Sequence, residues 1–237
     1  MTTQALQRYF DELRVRLAVV AEVKKEVDRL FAPDFNPFRL IWMDELRLSN
    51  VIANLLDPKA SHGQGRRFLD AFLDQLSEKL AEKKPLQNLQ KAWAECDGIV
   101  VETEATTTNS RRMDILIHDH SAEPHALMIE NKPYASDQDR QLQDYADHLK
   151  KYAKTYVMVY LSGDGKPPSE QSLAEDEREQ MKQAGHLITL AYGRDLVAWL
   201  RQCKTIAEAD HVRWILDDFT RYIEDKFADN QQQENGR

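Results

Sequence analysis

The spacing of apolar residues first changes period near residue 99, and that change restricts the fold more than any other feature. Before it, Leu6, Phe10, Leu13, Leu17, Val20, Val23 and Val27 recur every three or four residues with charges between them. That is the period of an amphipathic helix. After it, Ile99, Val101 and Thr103 alternate with polar neighbours, and RRMDILIH (111–118) and ALMIENK (126–132) read as strands. Helices are expected over 3–30, about 41–56, about 65–83 and, more briefly, 86–93. PDFNPF (33–38), Asp57-Pro58 with ASHGQG (60–65), and Pro85 separate them.

Beyond residue 132 the pattern predicts a helix over 136–151, a strand TYVMVYL (155–161), and a solvated helix over 173–184. A strand HLITLAY (186–192) and closing helices over 193–206 and 209–228 follow. Sequential strands, then strands reached through helices, imply a mixed sheet with helices packed on it. The expectation is a single α/β domain over 1–229, with a helical N-terminal part (1–95) and an α/β core with closing helices (96–229). Residues 230–237, NQQQENGR, read as a disordered tail.

Bulk properties exclude several classes. Apolar residues at 42% and charged residues at 30% describe a globular protein, not a disordered one. No apolar run approaches the roughly 20 residues of a membrane span, and the N-terminus lacks a signal-peptide pattern. Cys96 and Cys203 stand far apart and read as free thiols, which points to the cytoplasm. A net charge of −8 argues against a basic nucleic-acid-binding face, although net charge does not locate charges.

Three charged residues interrupt the apolar strands. Asp114 lies inside one, and Glu130 and Lys132 lie two apart on the next, which places both on one face of the sheet. If the strands pair, Asp114 lies beside Glu130. Clustered carboxylates repel unless a cation neutralises them, and Mg2+ is the hard, oxygen-seeking answer. The plain alternative is a solvated, ion-paired strand end. His62, in SHGQG, is a candidate for proton transfer, metal or substrate contact, or for closing its own loop. Arg66, Arg67, Arg111 and Arg112 are candidate phosphate contacts.

Taken together, RRMDILI, LMIENK and RQLQDYADHL resemble the PD-(D/E)XK nuclease superfamily, in a branch with an ENK strand followed by a QLxxY helix. Met113, not proline, precedes the first carboxylate. The resemblance covers roughly residues 40–160 and implies a restriction-endonuclease-like mixed sheet flanked by helices, with a helical N-terminal elaboration. It implies catalytic roles for Asp114, Glu130 and Lys132, joined by Glu45 from an early helix and by Gln141. Metal ligands would be Glu45, Asp114, Glu130 and the backbone carbonyl of Asn131, with Mg2+ or Mn2+ as cofactor. Tyr145, His62, Arg66 and Arg112 would contact substrate. The implied activity is hydrolysis of DNA phosphodiesters, endonucleolytic more than exonucleolytic, in phage defence, restriction or repair. RNA is a second possible partner, and cutting both strands would favour a homodimer. The alternative is an inactive nucleic-acid- or protein-binding module that keeps the fold.

Overall fold

The computed structural model describes residues 3–94, 96, 98–134 and 136–227. The tail expected over 230–237 lies outside them. Contacts cluster into two compact units, Met1–Leu40 and Ile41–Arg237.

The first unit is built on helix α1 (Thr3–Phe31), with a single further turn, α2 (Pro37–Leu40). Ala32 ends α1 in a left-handed conformation (φ 40°), and Pro33 follows it. Helix-spaced ion pairs such as Arg29–Glu26 and Lys24–Asp28 line α1, and its apolar row from Leu6 to Val27 is exposed.

The second unit starts with α3 (Glu45–Leu56), α4 (Arg67–Lys79) and α5 (Lys84–Ala94). Asp44 sets the start of α3: its carboxylate accepts from the Arg47 N–H at 2.9 Å, filling one of the unpaired donors of the first turn. The helix therefore begins at Glu45, four residues later than periodicity alone suggests. Next come β1 (Val100–Thr106), β2 (Arg112–His118), β3 (His125–Lys132), α6 (Gln141–Tyr152), β4 (Thr155–Ser162), α7 (Glu175–Gln183) and β5 (Leu187–Ala191). A π-helical turn (Tyr192–Leu196), α8 (Val197–Ile206) and α9 (Asp210–Phe227) close the chain.

The five strands lie in sequence order in one sheet. The pairs β1–β2 and β2–β3 are antiparallel, while β3–β4 and β4–β5 are parallel. The turn between β2 and β3 is pinned by Asp119, whose carboxylate accepts from the N–H groups of Ser121 (2.9 Å) and His125 (3.1 Å). Strand β3 is thus the seam of the mixed sheet, buried along almost its whole length, as expected of a strand covered on both faces. Met128 and Ala126 face a core with Leu142, Tyr145, Ala146 and Leu149 of α6. By alternation, Glu130 and Lys132 fall on this same face and Asn131 on the other.

Gly185 joins α7 to β5 with φ 74°, and a Cβ there would sit 2.0 Å from the Glu82 carbonyl oxygen. Both the backbone conformation and the space demand glycine. Gly185→Ala is therefore expected to lower stability by more than the ~1 kcal/mol of an ordinary glycine replacement, measured as a shift in the urea midpoint. An unchanged midpoint would contradict the packing of α7 onto the α4–α5 connection.

Candidate active site

The site forms where β2 and β3 stop pairing. Their last paired residues toward this end are Ile115 and Ile129. The next donor, the Asn131 N–H, is taken by the Asp114 carboxylate at 2.7 Å. This bond fixes Asp114 beside the end of β3. From the same strand end, Lys132 Nζ reaches Glu130 Oε1 at 2.8 Å and Glu45 Oε1, on the first turn of α3, at 3.1 Å. Four residues from three elements converge: Asp114, Glu130, Lys132 and Glu45.

Asn131 secures this arrangement from the opposite face of the sheet. Its amide nitrogen donates to the Glu45 carbonyl (3.2 Å) and to Ser49 Oγ (2.9 Å), and its oxygen accepts from the Tyr192 hydroxyl (2.6 Å). The side chain therefore ties β3 to α3 and to the π-helical turn. Ser49 and Tyr192 are supports that sequence reasoning missed. A serine four residues after Glu45 on an apolar helix face was a weak available signal. Nothing local marked Tyr192.

Burial governs the electrostatics. Glu130 is fully buried, and among the described residues neither of its oxygens has a hydrogen-bond partner; the Lys132 contact is a charge pair without hydrogen-bond geometry. Burial, and then the charge of Asp114, push the Glu130 carboxyl well above the usual range, against the pull of Lys132. Burial likewise raises Asp114 to about 6, with the Asn131 N–H and Lys132 opposing it. Burial pulls the Lys132 ammonium down, but Glu130, Glu45 and Asp114 outweigh it and the net shift is upward. Its carboxylate neighbours hold the lysine as a cation.

This donor set fits a hard divalent cation. Among the described residues, no three His, Cys, Asp or Glu side chains converge into a ready-made cage. Mg2+ needs no such cage, because it retains waters and takes one or two carboxylates plus a substrate oxygen. An unsatisfied buried carboxylate beside a second carboxylate supplies those ligands.

The remaining predicted residues each have partners within the fold. Gln141 and Tyr145 share a buried face of α6; the Gln141 amide donates to the Tyr145 hydroxyl (3.2 Å), which donates to the Arg112 carbonyl (2.5 Å). Tyr145 thereby braces β2 from behind Asp114. Both His62 ring nitrogens are engaged: Nδ1 accepts from the Gln64 N–H (3.0 Å) and Nε2 meets the Asp57 carbonyl (2.9 Å). Asp57 caps the end of α3, about 18 Å along the helix from Glu45 for its 12 residues, so His62 closes its own loop away from the carboxylates. Arg66 binds the Trp93 carbonyl and Asp70, and Arg67 pairs with Glu208. Arg111 pairs with Asp144, and Arg112 with Glu104.

Residues 35–225 match the family model of the PD-(D/E)XK nuclease superfamily. Neither a search of curated proteins nor a search of solved structures gave a match.

The raised Asp114 has a consequence for stability. Its folded pKa of about 6 lies above the ordinary 3.8, so the folded state holds the proton more tightly. That stabilisation is complete below the unfolded value, is lost as pH rises toward about 6, and is absent above it. Asp114→Asn keeps an oxygen for the Asn131 N–H and abolishes the titration. In chelated buffer it is expected to be more stable than wild type at pH 8 by on the order of 2–3 kcal/mol, shrinking below pH 5. Denaturant titrations at several pH values check this; a gap independent of pH would contradict it.

Proposed function

The chain belongs to the PD-(D/E)XK nuclease superfamily, and on that premise we propose that it is a divalent-metal-dependent deoxyribonuclease cutting within strands. Its five-stranded mixed sheet flanked by helices is the restriction-endonuclease-like arrangement. Superfamily members typically use divalent metal ions. Mg2+ is the proposed cofactor, with Mn2+ as substitute. The single observation that carries the reading is the Lys132 ammonium paired with Glu130 and Glu45 at the strand end where Asp114 is held by the Asn131 N–H, with a buried Glu130 carboxylate lacking hydrogen-bond partners among the described residues.

Asp114, Glu130, Glu45 and the Asn131 carbonyl are the groups that would hold the cation. When bound, it polarises the phosphate and lowers the pKa of a water within reach. Lys132, kept protonated by its carboxylates, donates to a phosphate oxygen and offsets the charge that builds at phosphorus. Glu45 anchors the ammonium so that it meets the phosphate from a fixed position. Gln141 acts through Tyr145 and the Arg112 carbonyl to hold the strand carrying Asp114. None of these groups reads a base, so sequence preference must arise elsewhere on the surface. We place the activity in phage defence, restriction or repair, with two copies cooperating where both strands are cut.

Wild type is expected to degrade DNA in Mg2+ or Mn2+ and not in chelator. Lys132→Gln should lose on the order of 100-fold or more in kcat with an unchanged circular dichroism spectrum. Activity persisting at the wild-type rate in Asp114→Ala would contradict the site. Metal-dependent cleavage of RNA but not DNA would reassign the substrate.

A further inference from the structure

A cavity of about 340 Å3 opens beside Lys132, at the carboxyl ends of the parallel strands β3 and β4. Ligands of open α/β sheets favour that location. Its volume sits at the lower end of the roughly 300–1,000 Å3 of small-ligand sites. Lys132, Tyr134, Tyr160, Ser162, Asp164 and Lys166 contribute to its lining.

The walls are held in place before any ligand arrives. The Gly163 N–H donates to the Lys132 carbonyl at 3.1 Å, and a Cβ on Gly163 would lie 2.4 Å from the Pro133 oxygen, so the loop after β4 seats directly on the end of β3. Ser162 Oγ closes that loop onto the Lys166 carbonyl (2.9 Å), and the Tyr160 hydroxyl is fixed on Asp137 (2.7 Å). Tyr134, two residues past Lys132, is 56% exposed. Its ring stacks on buried Phe227 (centroids 5.7 Å, planes 17° apart), and Phe227 packs on Tyr192, which holds Asn131. A largely solvent-facing aromatic is thus supported from behind by an aromatic stack that ends at the nuclease motif itself.

We infer that this cavity receives one unstacked nucleotide of the substrate, adjacent to the scissile phosphate, with its base on Tyr134. This rests on the nuclease reading above and narrows it to a substrate class. A supported aromatic offers a π-face that any base can use. Lys166 and Lys132 lie at the same cavity for the flanking phosphates, and the Asp164 carboxylate, paired with Lys166 at 2.5 Å, can accept from a base amino group. A base inside continuous duplex is already stacked and cannot enter. The preferred substrates are therefore single strands, frayed or tailed ends, and duplexes with an extruded base.

The test uses the 237-residue chain and nuclease-resistant phosphorothioate oligodeoxynucleotides in Mg2+, read by fluorescence anisotropy. Three forms are compared: continuous duplex, duplex with a single-stranded tail, and single strand. Wild type is expected to bind the tailed and single-stranded forms more tightly. Tyr134→Leu should weaken them about tenfold, with a smaller loss for continuous duplex, and Tyr134→Phe should restore most of it. In parallel, 5-iododeoxyuridine in the tail should photocrosslink to the peptide containing Tyr134. Equal losses for all three forms in Tyr134→Leu, or crosslinks only elsewhere, would overturn this inference while leaving metal-dependent cleavage, sensitive to Lys132→Gln, intact. Failure of wild type to bind or cut any of the three would overturn the nuclease reading and this inference with it.

Discussion

The contact on which the site depends is the Lys132 ammonium held between Glu130 and Glu45. Glu130 lies where the strand is otherwise core, on the face that carries Met128 and packs against α6. A lone carboxylate there would carry a large desolvation penalty, and removing one partner of such a buried pair typically costs about 3–5 kcal/mol. Lys132 makes the burial tolerable without fully satisfying it, since the Glu130 oxygens have no hydrogen-bond partner among the described residues. A core built only for stability would place apolar residues at 130 and 132. An under-satisfied buried carboxylate at a strand end is a group that a bound ion would complete.

Much of the second unit follows from keeping that contact aligned. Asp44 caps α3 so that Glu45 opens the helix, and the Asn131 amide binds the Glu45 carbonyl, locking helix start to strand end. Tyr192 and Ser49 complete the Asn131 set, so the residue between Glu130 and Lys132 acts as a mechanical tie. On the other face, Tyr145 and Gln141 hold the Arg112 carbonyl and so the strand bearing Asp114. Rigid elements on both sides of the sheet therefore fix the charged side chains, which is what electrostatic preorganisation requires.

The sheet and its chemistry were largely legible in the sequence because strand periodicity is local. Alternation alone put Glu130 and Lys132 on one face and turned Asn131 away, and the E-x-K spacing told of a charge pair inside an apolar strand. Glu45 was different: 85 residues separate it from Glu130 in the chain, no local pattern joins them, and only the family resemblance suggested the meeting. The start of α3 is set by the Asp44 cap, which a reading from apolar periodicity, with a start at about residue 41, does not register. Several arginines had the right chemistry for substrate, and their partners come from elsewhere in the chain: the Trp93 carbonyl for Arg66, Glu208 for Arg67, Asp144 for Arg111. Such long-range pairings set where each guanidinium rests, and composition cannot reveal them.

The account's central claim is that these carboxylates form a divalent-cation site beside a fixed lysine. Titration of the wild-type protein with Mn2+, followed by electron paramagnetic resonance at pH 7.5, tests it most directly. The account predicts saturable binding that weakens as pH falls and the raised carboxyls of Glu130 and Asp114 take up protons, and that is strongly reduced in Glu130→Gln and in Asp114→Asn. Equal Mn2+ affinity in wild type and both variants would contradict it.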